Sequence, residues 1–175
     1  CVTGVQTCAL PISHVVSDLQ PVLKTLLGDA ITLRLDAPRP APVRAAVTQI
    51  EQILINLCAN ARDAMPRGGE VVVAVAVAGD TVRLAVCDSG SGMPPEVAER
   101  AFEPFFSTKK HGGTRGLGLA TVYGIAKQLA GRAHLDSTPN QGTTVHVELP
   151  LDTSPAETPA VVIPAPTARS EEHTS

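Results

Sequence analysis

An amphipathic run from Ile50 to Ala64 constrains this chain more than any other segment. Ile50, Ile53, Leu54, Leu57, Ala61 and Ala64 recur at the three-and-four spacing of one buried helix face. Gln49, Gln52, Asn56, Asn60 and Asp63 fall on a separate polar stripe. Thr48 followed by Glu51 reads as a capping box that starts the helix, and Gly68-Gly69 ends it. Asparagine competes for backbone hydrogen bonds inside helices, so two of them on one face, one turn apart, need a reason. Exposure to solvent is one reason and a ligand is another.

The next segment changes period. Glu70 to Val77 is nearly all valine and alanine, Ala78-Gly79-Asp80-Thr81 turns the chain, and Val82 to Asp88 alternates again, which predicts a β-hairpin. Asp88 then sits where a strand runs out into Ser89-Gly90-Ser91-Gly92-Met93. A carboxylate there can face a cleft and accept hydrogen bonds from a ligand amine. Asp-Ser-Gly also suits a turn for conformational reasons alone.

Ala101 to Thr108 holds all three phenylalanines and leads into Lys109 to Gly116, a basic, glycine-rich run. It reads as a lid whose cations meet phosphates, or as an ordinary solvated loop. Leu117, Leu119, Val122, Tyr123, Ile125, Ala126 and Leu129 predict a second long helix, ended by Gly131. A glycine loop feeding a helix N-terminus offers free N–H groups to an anion. Upstream, residues 14–28 predict a helix. Residues 32–36 and 43–45 predict strands, separated by Pro38, Pro40 and Pro42.

Composition excludes several classes. With 43% hydrophobic but only 2% aromatic residues, the core must be built from Val, Leu, Ile and Ala. No Trp, one Tyr and a net charge of −3 leave no basic, aromatic surface for nucleic acid. No run of eighteen apolar residues is present, so this segment is expected to make no membrane contact. Cys58 in the helix and Cys87 in the hairpin are expected to be buried, reduced thiols without a disulfide framework. Val2 to Ile12 matches one translated frame of a common sequencing adapter, and Arg169 to Ser175 matches the reverse complement of the adapter's end. Residues 1–13 and 169–175 are therefore read as adapter-derived and set aside. Residues 14–150 form the domain, and residues 151–168, rich in Ala, Pro, Thr and Ser, read as a linker.

The order of the pieces is more specific than any one of them. The Asn helix, Asp-x-Gly-x-Gly, the Phe-rich segment, Gly116-Leu117-Gly118-Leu119 and the closing Gly142-Thr143-Thr144 hairpin resemble the N, G1, F, G2 and G3 boxes of the GHKL ATP-binding superfamily. The nearest resemblance is to the catalytic domain of bacterial sensor histidine kinases, over about residues 18 to 150. It implies an α+β fold: a two-layer α/β sandwich with a mixed, mostly antiparallel sheet, three main helices and an ATP lid.

The resemblance also implies roles. Asn60 matches the asparagine that ligates Mg²⁺ bridging the ATP phosphates. Asn56, one turn earlier, is expected to face the same cleft as a further site residue, at a position resembling that of the catalytic Glu in the superfamily's gyrase and mismatch-repair ATPases. Asn has no basic lone pair for water, so hydrolysis is expected to be slow. Asp88 matches the acceptor for the adenine amino group, with Gly90 and Gly92 letting backbone pass close to the base. Thr143 or Thr144 matches the G3 threonine near adenine. Gly116 and Gly118 would line the phosphates, while Lys109 and Arg115 are candidate cations at the γ-phosphate. Asp63, Met93, Phe105, Thr108, Leu117 and Leu119 complete the expected nucleotide site.

The implied reaction transfers the γ-phosphoryl of ATP to a histidine on the parent kinase's dimerisation domain, then onward to a response regulator or receiver domain. A cytoplasmic setting is implied, with a parent that could be anchored in the inner membrane. Departures from the pattern are Arg115 at a small-residue position, Ala46-Val47 where Asp-Pro is usual, and no phosphoacceptor His box. His14, His111, His134 and His146 lie outside any such context, and His134 and His146 decorate strands. A GHKL-type ATPase and a non-catalytic nucleotide-binding module of a degenerate kinase are the alternatives.

Overall fold

The computed structural model describes residues 8–106 and 116–153. In chain order these form β1 (Cys8–Pro11), α1 (Ile12–Leu27), β2 (Ile31–Asp36), β3 (Pro42–Ala45), α2 (Val47–Ala64), β4 (Gly69–Ala78), β5 (Thr81–Asp88), the short α3 (Pro95–Ala98), α4 (Gly118–Gln128), β6 (Arg132–Thr138) and β7 (Gly142–Pro150). The main sheet has five strands in the order β2-β4-β5-β7-β6. β2 runs parallel to β4, and every other neighbour pair is antiparallel. Against it lie α1, α2 and α4, giving the two-layer α/β sandwich that the motif order implies.

Strand alternation explains the layering. Val71, Val73 and Val75 of β4, Val82, Leu84 and Val86 of β5, and Val145, Val147 and Leu149 of β7 are buried. They meet Ile50, Ile53, Leu54 and Leu57 of α2 and Ile12, Val16 and Leu23 of α1 in one core. The alternate residues face the other way, where Arg83, Cys87, His134 and Asp136 are exposed. Cys87 therefore corrects the expectation of two buried thiols: the pleat places it between inward-facing Val86 and Asp88. Cys58 is buried, and desolvation pushes its thiol up to about 12.

Helix α2 is capped two residues before the expected Thr48. Ala46 is the cap, its N–H donating to Gln49 Oε1 at 3.0 Å while Gln49 N–H donates to Ala46 O at 3.0 Å. Gln49 thus does the work expected of Glu51, because starting at Val47 makes Gln49 the third helical residue. At its far end Met65 caps the helix, and Gly68, at φ 90°, turns the chain where any Cβ would meet Ala30 O.

The strand at residues 42–45 pairs with β1 in a separate antiparallel ribbon rather than with β2. Residues 8–13, set aside on the sequence, thus take part in packing: Leu10 lies opposite Val43 and Ile12 is fully buried. Pairing and burial need only extended backbone and an apolar side chain, which this peptide supplies whatever its codons derive from. Beyond β7 the chain stays bonded, Leu151 N–H to Asp80 O and Asp152 N–H to Pro42 O, both at 2.8 Å.

Candidate functional site

A cleft of about 320 Å³ opens between the C-terminal half of α2, the paired ends of β5 and β7, the loop after β5, α3 and the start of α4. Its volume lies in the range of small-molecule sites.

The sheet provides the floor. Asp88 is the last residue of β5 and continues the inward series of Val82, Leu84 and Val86, so it is held at 9% exposure. Gly90 N–H donates to its Oδ1 at 2.9 Å. Burial pushes the Asp88 carboxyl above the ordinary aspartate range, and hydrogen bonds from the Gly90 and Thr143 backbone offset part of that rise. Thr143 is the register partner of Asp88, inward and buried, whereas Thr144 pairs with Cys87 on the open face. Of the two threonines weighed on the sequence, Thr143 lines the cleft and Thr144 does not.

The loop after β5 is tied to the sheet end. Met93 N–H donates to Ser137 Oγ at 2.8 Å, and Ser137 Oγ lies 2.8 Å from Thr143 Oγ1. Gly92 takes φ 62° with its backbone against Thr138 O, an approach that leaves no room for a Cβ. Gly92 and Met93 face the cleft, while Gly90 acts from behind through Asp88.

Asn60, Asp63, Leu57 and Ala64 of α2 make the opposite wall. Gly118 opens α4 directly against the Asn60 carboxamide: a Cβ there would lie 3.3 Å from Nδ2 and 3.4 Å from Oδ1. The cap of α4 at Leu117 makes no side-chain bond to the helix's first N–H groups. Gly116, Gly118 and Leu119 line the cleft, and Leu117 is turned outward. Asn56 is absent from the lining, and its Nδ2 is buried without a hydrogen-bond partner.

Phe105 is the clearest departure from the expected site. It is 75% exposed at φ 64°, its N–H donating to Gly116 O at 3.0 Å, and Phe106 takes the place in the wall. The Arg100 guanidinium lies 4.4 Å over the Phe106 ring and holds it there. Val86, Val97, Ala101 and Val145, none singled out on the sequence, complete an apolar surface beside Asp88. Pleat parity links Val86 to Asp88 and Val145 to Thr143, a signal usable only once the inward face is known. Thr108, Lys109 and Arg115 lie outside the described residues.

The cleft therefore offers an apolar slot with one buried carboxylate acceptor at one end. At the other it has a carboxamide and an uncapped helix start. A flat, amine-bearing heteroaromatic fits the first and an anion fits the second.

Residues 45–153 match the sequence profile of the family described as histidine kinase-, DNA gyrase B-, and HSP90-like ATPase. The chain belongs to this family. Within the matched residues, Asn60, Asp88, Gly92, Gly118 and Thr143 meet in the cleft. Sensor kinase CckA of Brucella abortus (strain 2308) is 41% identical over 157 residues, which cover 81% of this chain and 17% of the relative's length. The nucleotide-free catalytic domain of the histidine kinase ThkA superposes with a TM-score of 0.65 at 29% identity, over 80% of this chain and 90% of that one. Full-length ShkA in complex with AMPPNP shares the fold at a TM-score of 0.76 and 24% identity, over 89% of this chain and 33% of that one.

Proposed function

We propose that this chain is the catalytic domain of a two-component sensor histidine kinase, which transfers the γ-phosphoryl group of MgATP to a histidine on the parent's separate dimerisation domain. A response regulator or receiver domain then takes the phosphoryl group. The observation that carries this reading is Asn60 on the cleft wall, with Asn56 one turn before it, outside the lining, as a half-buried carboxamide rather than a carboxylate. A carboxamide accepts no proton at neutral pH, so position 56 supplies no general base for water and the phosphoryl group is kept for an acceptor that brings its own base.

The donor set suits Mg²⁺. Asn60 Oδ1 is a hard, neutral oxygen on the cleft wall, and the absent side chain of Gly118 leaves space beside it. Asn60 would hold the ion, which when bound neutralises charge on the phosphates. Asp88 receives the adenine amino group, Thr143 and Gly92 pass beside the base, and the N–H groups opening α4 receive phosphate oxygens. Lys109 and Arg115 are proposed as further cations at the γ-phosphate. Residues 14–150 are proposed as the domain and residues 151–168 as a linker to a further domain. No helix among the described residues is long and apolar enough to cross a membrane, in keeping with a catalytic domain working in the cytoplasm.

The test is phosphotransfer. The isolated domain should bind MgATP and turn it over very slowly, while adding the parent's dimerisation hairpin should yield an acid-labile, alkali-stable phosphohistidine that Asn60→Ala abolishes. Brisk phosphate release from the isolated domain, indifferent to the hairpin, would make it an ATPase.

A further inference from the structure

On the open face of the sheet, behind the nucleotide cleft, His134 and His146 stand directly opposite each other in the β6–β7 ladder. Asp136 follows His134 by two residues and so projects from the same face of β6. The imidazole rings are stacked, with centroids 4.7 Å apart and planes 21° from parallel. His146 Nε2 lies 3.2 Å from Asp136 Oδ2. One ligand atom from each of the three residues lies within 4.8 Å of the others.

The geometry points to a binding site for a divalent transition-metal ion of the zinc class, made by His134, Asp136 and His146. Two ligand atoms at about 2.1 Å from one tetrahedral zinc ion are about 3.4 Å apart. The His146–Asp136 pair already stands at that separation. His134 and Asp136 are both exposed, so small rotations bring the third ligand in without disturbing the core, and water completes the coordination. His146 Nδ1 is buried and has no hydrogen-bond partner, so no bond at that nitrogen opposes a ring adjustment that turns a lone pair to the ion. Two imidazoles and one carboxylate favour zinc, copper or nickel over magnesium or calcium, which separates this site from the Mg²⁺ proposed in the cleft. The two sites also lie on opposite faces, because Thr144 opposite Asp136 points outward while Thr143 opposite Ser137 points into the cleft. A bound ion would tie β6 to β7 one residue away from the Ser137–Thr143 contact.

Calorimetric titration of metal-stripped, nucleotide-free protein with zinc chloride tests this directly. One ion per chain should bind. His134→Gln and Asp136→Asn should each weaken binding at least about tenfold, and cobalt(II) should give tetrahedral absorption bands that both substitutions remove. The two residues are exposed, so circular dichroism should show both variants folded. Absence of zinc binding, or an isotherm unchanged by either substitution, would overturn the site, leaving His134, Asp136 and His146 as a stacked, ion-paired strand surface.

Discussion

Asp88 faces Thr143 directly across the β5–β7 ladder, and both are buried at the floor of the cleft. The consequence for Asp88 is a carboxyl raised above the ordinary 3.8 by desolvation. The folded state then holds this proton more tightly than the unfolded state does. Its contribution to stability is fully present below the ordinary aspartate value and is lost as pH rises through the folded value. Asp88→Asn removes that titration. The nucleotide-free variant should lack this loss of stability as pH climbs through the window, as urea melts at several pH values would show. The same change should weaken adenine-nucleotide binding by about 1.5–3 kcal/mol, the range for a hydrogen bond to a charged group. Unchanged calorimetric affinity would remove Asp88 from the site.

The close approach of Gly118 to Asn60 makes a second prediction. A valine at this position puts its Cβ 3.3 Å from Asn60 Nδ2, and its methyls must displace the carboxamide. Gly118→Val should therefore abolish the gain in ATP affinity that Mg²⁺ gives the parent domain, as Asn60→Ala should. Titrations of both variants with and without Mg²⁺ would check this, and a full Mg²⁺ effect in Gly118→Val would contradict it.

Adjacent phenylalanines should behave oppositely. Phe106 lines the cleft beneath Arg100, whereas Phe105 is exposed. Phe106→Ala should lower nucleotide affinity and Phe105→Ala should leave it within about 0.5 kcal/mol, as for a surface substitution. Equal losses would mean that Phe105 turns inward on binding.

Leu54 is fully buried in α2 at the centre of the core. Leu54→Ala should cost about 2–5 kcal/mol through lost transfer energy and the cavity left behind, measurable by denaturant unfolding. A cost below about 1 kcal/mol would show that the neighbouring side chains collapse into the space.

The two cysteines should differ in reactivity. Exposed Cys87 should be alkylated in the native protein at neutral pH, and Cys58, buried with its thiol raised to about 12, only on unfolding. Peptide mapping after timed alkylation would reveal equal rates if the sheet's outer face were covered.

Local pattern alone determined α2 and the β4–β5 hairpin, because the apolar periods of 3.6 and 2 are carried by consecutive residues and each turn by its own glycines. The order of the Asn, Asp-Gly and Gly-Leu-Gly-Leu motifs likewise carried the family and most of the residues that meet in the cleft. Only the tertiary structure decided between Thr143 and Thr144, between Phe106 and Phe105, and where Cys87 points. A strand's alternation says that neighbours face opposite ways but not which face the helices cover. Asp88 and Thr143 become partners only because β7 inserts beside β5 in the sheet. Strand order is a choice among long-range pairings, made by the burial of one shared core, and no local segment of the chain encodes it.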